Sequence, residues 1–405
     1  MEGEESGSLG SLRELNRARV VTALREMGVA SRADVARRTG LSRSTVSTIV
    51  AHLLDDGLVV NHEGDAPAPT SLGAGRPPTL LTLTPSAGAA VGIDFGKRHL
   101  AVAVADLSHA ILGETWQEME DDYPAARGLD AAAELVRKLL RQARVSRDRV
   151  LGVGLGLPGP IHSVTGTVGS ASILPGWVGV RASDEMQARL SLPVHVENDA
   201  NLGALAELTW GAGRDCEHLV YLKVSNGIGA GLIVGGRLFR GAGGTAGEIG
   251  HTILDETGDI CRCGNRGCLE TYAAGPAIVE LLRRSLGEDL TLETVLARAA
   301  EGEAGCRRAI ADAGRHVGTA AANLCNVFNP QRIVVGGSIG TAGDVLLEPM
   351  REAVARYAIH TAAADVEIVP SELGDRAELL GALALVLHGA DPIVTPIRAV
   401  EARAR

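Results

Sequence analysis

The sequence predicts two kinds of fold in one chain: a winged helix-turn-helix head, mainly helical, over residues 1–84, and an α/β body over residues 85–405. Two short helical patterns joined by a glycine turn lie near the start. Short apolar strand patterns alternate with helical patterns in the rest of the chain. A chain of 405 residues is long enough for two or three domains.

Composition excludes several classes of protein. The chain is 45% hydrophobic and carries a net charge of −10, so it does not coat nucleic acid with its whole surface. No segment has the pattern of a signal peptide or a membrane span, and we expect a cytoplasmic protein with no membrane partner. Residues 11–54 are locally basic, as a small DNA-binding head would be. Their arginines are Arg13, Arg17, Arg19, Arg25, Arg32, Arg37, Arg38 and Arg43, against Glu14, Glu26 and Asp34.

Two helices are predicted at the start of the head. Apolar residues fall on one helical face over residues 11–27. Ser31, followed three residues later by Asp34, forms a capping box that should start a second helix, and Gly40 should break it. A further helix directly after this glycine turn would complete a helix-turn-helix.

That further helix is predicted to contact DNA. Ser42 should cap it and Gly57 should end it, with apolar residues at helical spacing between them. The second helix of such a unit places its N-terminal residues at the base edges in the major groove of double-stranded DNA. Here those residues are small or basic: Ser42, Arg43, Ser44, Thr45 and Ser47. The alternative is a helical hairpin for protein contacts, which an outward face of Ser, Thr and Arg disfavours.

A wing should follow the third helix. Residues 58–60 and 80–83 have the pattern of two strands, with a polar loop rich in proline and glycine between them. Near the end of this loop Gly75, Arg76 and Pro77 could place Arg76 in the minor groove, whose negative potential attracts arginine. The same three residues could equally form a linker.

The body shows the pattern of alternating strands and helices. A helix is predicted over residues 129–143, and seven short strands are bounded by glycine or turn residues. The strand segments are AAVGIDF, LAVAVAD, VLGVGLGLP, VHVEND, LVYLKVS, GAGLIVGG and RIVVGGS. A strand hairpin followed by glycine-rich turns occurs twice along this stretch.

One imidazole and three thiols lie within eighteen residues of the body: His251, Cys261, Cys263 and Cys268. Four such ligands suit one structural, tetrahedral Zn²⁺ per chain, because zinc favours sulfur and nitrogen and does not oxidise thiolates. The alternative is a disulfide-prone or inert loop. The other cysteines lie singly in apolar contexts and are interpreted as buried fillers: Cys216, Cys306 and Cys325.

The segment 247–270, GEIGHTILDETGDICRCGNRGCLE, resembles the signature of the repressor, open-reading-frame and kinase (ROK) family of sugar kinases and sugar-responsive regulators. The resemblance extends over residues 1–395. It implies that the body has the actin-like ATPase fold (ribonuclease H-like, two-lobed), in which two lobes close over sugar and nucleotide. It also implies a zinc-supported pocket in which Glu248, His251 and Glu270 contact sugar hydroxyls, while His251 also binds the metal. Regulators of this family carry such a head, and its plain kinases lack it.

Asn198 and Asp199 follow a predicted strand, where side chains open into a cleft. A carboxylate there can accept the proton of a sugar hydroxyl during phosphoryl transfer, while an amide fixes the hydroxyl. A simple helix cap is the alternative. The resemblance matches this pair to the sugar-binding asparagine and the catalytic base of the family's kinases, with Asp199 as a vestigial base.

The phosphate-binding turns depart from the kinase pattern. Kinases of the family carry Asp-x-Gly-Gly-Thr in the first strand hairpin, where this chain has Asp94, Phe95, Gly96, Lys97 and Arg98. The glycines of such a turn let backbone N–H groups approach phosphates. A second turn, usually Gly-Thr-Gly, is Ser225-Asn226-Gly227. ATP is therefore a doubtful cofactor, and we assign no catalytic residue.

These observations predict a DNA-binding transcriptional regulator of carbohydrate genes, a repressor, whose operator affinity is controlled by a monosaccharide bound in a kinase-like pocket. We expect a homodimer or homotetramer. One alternative is an active ATP-dependent sugar kinase that carries a DNA-binding head. A scaffold without a ligand is another.

Overall fold

The computed structural model describes residues 16–388, except residue 18 and segments 63–78, 86–87, 163–164 and 170–173. The chain divides into two compact units. The first contains the described residues up to Gly88, with residues 106–110 and 385–388, and the second contains Ala89–Ala105 and Ile111–Ala384. The first unit thus extends beyond residue 84 and includes two short segments of the predicted body.

The first unit is a winged helix-turn-helix. Its first helix, α1, covers residues 16–17 and 19–27 among those described. The other elements are β1 (Val29–Ser31), α2 (Arg32–Thr39), α3 (Arg43–Asp55), β2 (Val59–Asn61) and β3 (Leu80–Leu83). The strands form an antiparallel sheet of order β1-β3-β2. Strand β1 was not predicted, because its three residues are too few to show a strand pattern.

The predicted caps of α2 and α3 are confirmed. The Ser31 hydroxyl accepts a hydrogen bond from the Asp34 N–H at 3.2 Å, and Asp34 completes the capping box. Gly40 ends α2 with a φ of 68°, a left-handed conformation that glycine adopts without strain. Ser42 caps α3 by accepting from the Thr45 N–H at 3.1 Å. The minor-groove prediction for Arg76 lies outside the described residues.

The second unit contains two five-stranded sheets and ten helices among its described residues. Its strands are β4 (Ala89–Phe95), β5 (His99–Asp106), β6 (Ile111–Glu118), β7 (Val150–Leu157), β8 (Val194–Asn198), β9 (Leu219–Val224), β10 (Ile228–Val234), β11 (Arg237–Phe239), β12 (Arg332–Gly336) and β13 (Glu367–Pro370). Its helices are α4 (Ala125–Gln142), α5 (Ala182–Leu190), α6 (Asp199–Thr209), α7 (Glu270–Ala273), α8 (Gly275–Leu286), α9 (Leu292–Ala300), α10 (Ala304–Phe328), α11 (Asp344–Tyr357), α12 (His360–Ala364) and α13 (Ala377–Leu387). None of the described helices is long and apolar enough to cross a membrane.

The two sheets of this unit have the same topology. Their strand orders are β6-β5-β4-β7-β8 and β11-β10-β9-β12-β13, so each sheet reads 3-2-1-4-5 in its own sequence order. The last two strands of each sheet run parallel to the first: β7 and β8 after β4, and β12 and β13 after β9. This repeated order confirms the duplicated, two-lobed architecture. The carboxyl ends of these parallel strands form the edges at which α/β proteins bind ligands.

Helices α6 and α13 join the two sheets through close glycine contacts. A Cβ atom at Gly381 of α13 would lie 2.0 Å from the backbone oxygen of Leu202 of α6. On one side, a Cβ at Gly154 of β7 would lie 1.9 Å from the oxygen of Ala382 in α13. On the other side, a Cβ at Gly231 of β10 would lie 2.4 Å from the oxygen of Ala200 in α6. The four elements approach this closely only because these positions lack a side chain.

We expect Gly154→Ala to destabilise the chain by about 3 kcal/mol or more, because the added methyl group meets a backbone oxygen that no side-chain rotation can move. Gly305→Ala in α10 is the matched control, since the nearest atom to its added Cβ is 3.9 Å away. Chemical denaturation of both variants measures the effect. Equal stability of the two variants would contradict the close approach of β7 and α13.

Candidate functional site

The four predicted metal ligands form one compact cluster. The ligand atoms of His251, Cys261, Cys263 and Cys268 all lie within 4.8 Å of one another. The Cys263 and Cys268 sulfurs are 3.7 Å apart, and the Cys261 sulfur is 3.5 Å from Nδ1 of His251. These distances suit a tetrahedral arrangement of one nitrogen and three sulfur ligands. All six cysteines are described as free thiols, and the three outside the cluster are buried as predicted.

The loop that carries the cluster depends on a glycine. Gly267 has a φ of 60°, and a Cβ atom there would lie 1.6 Å from the backbone oxygen of Asp255. The Leu254 N–H donates to the Gly267 oxygen at 2.8 Å, which holds two stretches of the loop together. Only glycine therefore permits the chain to fold back this tightly beside Cys268.

All five predicted sugar-binding residues line one cavity of about 340 Å³ in the second unit: Asn198, Asp199, Glu248, His251 and Glu270. The cavity lies at the carboxyl ends of β4, β7, β8, β9 and β12, where the following turns supply its walls. A site at the ends of parallel strands is the expected ligand position for an α/β fold. The structure thus brings together residues separated by up to 72 positions in the sequence.

His251 belongs to both the cluster and the cavity. Its Nδ1 faces the Cys261 sulfur at 3.5 Å, whereas its Nε2 lies 3.9 Å from a carboxylate oxygen of Glu248. The two ring nitrogens are chemically distinct, and a partner on one fixes the role of the other. Metal binding by Nδ1 would leave Nε2 directed into the cavity.

Asn198 caps helix α6, which is the structural alternative to sugar binding for this residue. Its amide oxygen accepts hydrogen bonds from the Ala200 and Asn201 N–H groups at 2.9 and 3.2 Å, which caps α6. Its amide nitrogen donates to the Gly159 oxygen at 3.0 Å. The cap fixes the side chain at the wall of the cavity.

Glu248 and Glu270 have different surroundings. Glu270 is only 9% exposed, and one of its oxygens accepts from Arg262 at 2.6 Å and from the Ile228 N–H at 2.9 Å. Burial raises the pKa of Glu248 to about 7, with further contributions from the carboxylates of Asp199 and Glu270. Arg262, which lies between the predicted metal ligands Cys261 and Cys263, also lines the cavity and was not predicted.

An ion-pair network at the floor of the cavity was also not predicted. Lys223 Nζ donates to Asp199 at 2.9 Å and lies 3.1 Å from Glu378. Burial disfavours the charge of this lysine, but the two carboxylates outweigh burial and raise its pKa. Burial raises the pKa of Glu378, and the carboxylates of Asp94 and Asp199 add to that effect while Lys223 opposes it.

The altered phosphate turn lies beside this network. Asp94 has a partner in the structure, because Nε2 of His99 is 2.8 Å from its carboxylate. This contact and the charge of Asp94 outweigh burial and raise the pKa of His99. Lys97 and Arg98 both line the cavity, and Arg98 also forms longer ion pairs with Glu118 and Asp121 at 3.6 and 3.7 Å. The turn therefore presents side chains to the cavity.

In the first unit, the N-terminal part of α3 has an open surface. Arg43, Ser44 and Ser47 are exposed, whereas Thr45 is half-buried and the Ser42 hydroxyl is engaged in the helix cap. Among the described residues, neither Arg43 nor Arg32, the first residue of α2, has a carboxylate within 4.0 Å. Other head arginines are paired: Arg17 with Asp56, Arg37 with Asp34 and Arg38 with Glu26.

The fold and the site define a protein that joins a winged helix-turn-helix to a sugar-kinase-like body. The sequence matches the ROK family over residues 90–388 and the MarR family over residues 14–66. The chain belongs to the ROK family.

Curated relatives cover nearly the whole chain. The xylose repressor of Caldicellulosiruptor bescii is 31% identical over 389 residues, which is 93% of this chain and 96% of that protein. The DNA-binding transcriptional dual regulator NagC of Escherichia coli is 32% identical over 399 residues, which is 94% of each chain. Both proteins are named as regulators.

Solved structures include regulators and kinases of the family. A ROK family transcriptional regulator, described as a homolog of the E. coli MLC protein, has a TM-score of 0.72 and 25% identity, and the match covers 92% of this chain and 97% of that one. A ROK family glucokinase from Streptomyces griseus, in complex with glucose and AMPPNP, has a TM-score of 0.63 and 28% identity. That match covers 74% of this chain and 99% of the kinase.

We expect the purified protein to contain one bound metal ion per chain and Cys263→Ser to lose it, because a hydroxyl is a much weaker ligand than a thiolate. The loop that carries Glu248 and Glu270 should then become sensitive to proteolysis. Cys216→Ser, outside the cluster, is the control and should keep the metal. Elemental analysis measures the metal, and an unchanged content in Cys263→Ser would contradict the assignment.

Proposed function

We propose that this chain is a transcriptional repressor of carbohydrate genes whose operator affinity is controlled by a sugar. The observation that supports the proposal is a cavity lined by all five predicted sugar-binding residues in a chain whose predicted recognition helix, α3, has an exposed N-terminal part. The names of the relatives, which include xylose and N-acetylglucosamine repressors, agree with it.

The cavity suits an unphosphorylated monosaccharide. Carboxylates of Asp199, Glu248 and Glu270 can accept hydrogen bonds from hydroxyl groups, and charge-assisted bonds of this kind are stronger than neutral ones. Nε2 of His251 adds a further polar contact on the side that faces Glu248. A sugar that binds here would therefore have its hydroxyls paired by acidic groups and one imidazole.

The metal in the cluster is Zn²⁺ in this proposal. One imidazole and three thiolates form a closed, four-ligand site, which is typical of structural zinc. The cytoplasm keeps such thiols reduced and is the compartment we propose. The bound metal would hold the loop that positions Glu248, His251 and Glu270, and it would take no part in chemistry.

Operator binding requires two heads. A single helix-turn-helix makes few base contacts, so a homodimer or homotetramer reads half-sites about one helical turn apart, or a multiple of that distance. Ser44, Thr45 and Ser47 would face the bases, Ser42 would lie at the start of the helix, and Arg43 would bind phosphate. Arg32 is a further phosphate contact, because it lacks a carboxylate partner among the described residues.

Sugar binding and operator binding are coupled if the two ligands prefer different conformations of the protein. A ligand shifts an equilibrium only when its affinity differs between two states. Release of the operator by a few tens-fold would require about 2 kcal/mol of coupling between the two sites. The effector need not be chemically changed for this purpose.

An active sugar kinase is the second candidate function. The retention of Asp199 in the cavity and the similarity to a ROK family glucokinase favour it. The altered phosphate turn disfavours it, because phosphoryl transfer needs donors placed on the transferring group. ATP-dependent phosphorylation of the bound sugar, abolished by Asp199→Asn, would decide for the kinase.

We expect Ser44→Glu to reduce operator binding at least about a hundredfold, because a carboxylate would then enter the major groove between the negatively charged phosphate backbones. Gln142→Glu places the same charge on an exposed position of α4 and should leave operator binding unchanged. Electrophoretic mobility shift with the DNA upstream of the chain's own gene measures both. Wild-type operator binding by Ser44→Glu would contradict the assigned DNA surface.

Glu248→Ala should leave operator binding intact and abolish its response to sugar, because it removes a carboxylate acceptor from the cavity wall. Glu256→Ala, an exposed position in the same loop, is the matched control. Operator release is measured with D-xylose, D-glucose and N-acetyl-D-glucosamine as probes. A normal sugar response by Glu248→Ala would exclude this residue from effector recognition.

A further inference from the structure

Lys223 is the cation at the centre of a buried acidic cluster. Its ammonium group lies 2.9 Å from Asp199 and 3.1 Å from Glu378, and these two carboxylates are only 12% and 7% exposed. Asp94, at 4% exposure, interacts electrostatically with the same lysine. Three carboxylates therefore share one fixed cation, with His99 paired to Asp94 alongside.

The members of the cluster come from different elements. Asp199 begins α6, Lys223 lies on β9 and Glu378 lies in the first turn of α13. Both oxygens of Asp199 have a donor, because one accepts from Lys223 and the other from the Ala200 N–H at 2.8 Å. The orientation of this carboxylate is thus set by donors within the chain.

Buried carboxylates at close range disfavour one another's ionisation, and burial acts in the same direction. A fixed cation offsets both effects, and its removal would leave buried negative charge uncompensated. In phosphoryl-transfer enzymes, metal ions held with the nucleotide neutralise charge near the reacting groups. In this chain the side chain of Lys223 supplies positive charge beside the carboxylates of Asp199 and Glu378.

We propose that Lys223 is a positioning residue that acts through Asp199: its ammonium group is a permanent counter-ion that offsets the buried charge of Asp199 and holds its carboxylate oriented to accept a hydrogen bond from a sugar hydroxyl without nucleotide or divalent cation. This inference rests on the proposed sugar-binding function. It assigns to the regulator a sugar affinity that is independent of ATP.

The competing explanation is that Lys223 only fills space and donates hydrogen bonds. Two variants separate charge from shape. Lys223→Met keeps most of the side-chain volume and removes the charge. Lys223→Met combined with Glu378→Gln loses one cation and one carboxylate, so the cluster regains the formal charge of the wild type. Restoration by the double variant is expected only when charge is the cause.

The first measurement is thermal unfolding of the sugar-free chain between about pH 6 and about pH 8. Without Lys223, the pKa values of the clustered carboxyls should be higher in the folded state than in the unfolded state. The folded state then binds more protons, so stability falls as pH rises. We therefore expect the thermal unfolding midpoint of Lys223→Met to fall, relative to that of wild type, as the pH rises from about 6 to about 8. The unfolding midpoint of the double variant should change with pH in the same way as that of wild type. The other ionisable groups of the region are present in all three proteins: Asp94, His99, Tyr221 and Glu248.

The second measurement is calorimetric titration with D-xylose, D-glucose and N-acetyl-D-glucosamine, with no nucleotide or magnesium added. Wild type should bind one of these sugars, and added Mg-ATP should change its affinity less than about twofold. The affinity of Lys223→Met relative to wild type should be about tenfold lower near pH 6 than near pH 8, because buried carboxylates without their counter-ion take up protons more readily and a protonated carboxyl group is a weaker acceptor. The double variant should remove most of this pH dependence.

Several outcomes would overturn the inference. The first is a sugar affinity of wild type that depends on Mg-ATP. The second is an effect of Lys223→Met on affinity and on unfolding that is equal at all pH values. The third is a double variant whose pH dependence equals that of Lys223→Met. If Lys223→Met does not fold, a folded double variant supports the counter-ion and an unfolded one contradicts it. If wild type binds none of the sugars, the proposed function fails, while the unfolding experiment still tests the counter-ion.

Discussion

The contact between α6 and α13 is the constraint on which the rest of the second unit depends. Each helix packs against one sheet through a glycine that permits backbone contact, Gly231 for α6 and Gly154 for α13. The helices meet each other at Gly381. Because Asp199 and Glu378 lie in their first turns, this packing brings both carboxylates to the same end of the cavity. The position of the acidic groups is thus set by backbone packing rather than by loops.

His251 belongs to both the predicted metal cluster and the cavity, and each of its two ring nitrogens faces one of them. Nδ1 of His251 faces the sulfur ligands, and Nε2 faces Glu248. A metal bound by the cluster would anchor the loop between the two carboxylates, Glu248 and Glu270, at the point where it meets the cavity. Arg262 adds a second link, because it follows Cys261 and donates a hydrogen bond to Glu270. Two such links would hold the acceptors at a fixed separation.

Local patterns were sufficient to predict the elements whose signal lies within a few residues. The capping box at Ser31, the fully buried strand β4 and the largely buried strand β9 are examples, and the ligand spacing at 251–268 also sufficed. Strand β6 was missed because it alternates between half-buried and exposed residues and ends in polar ones, while β11 and β13 have only three and four residues. Lys223 and Glu378 could not be paired from the sequence, because 155 positions separate them and neither lies in a recognisable motif. Their relation depends on the packing of α13, which no local pattern encodes.

The same helix has a consequence for how the protein is made. Roughly 220 residues separate the end of β7 from the start of α13, which packs against it. At about 5 to 20 residues per second, about 10 to 40 seconds pass between the emergence of the two elements from the ribosome. Throughout that interval the glycine face of β7 and the apolar residues beside it lack their covering helix. The first lobe therefore completes its core only after nearly the whole second unit has been synthesised.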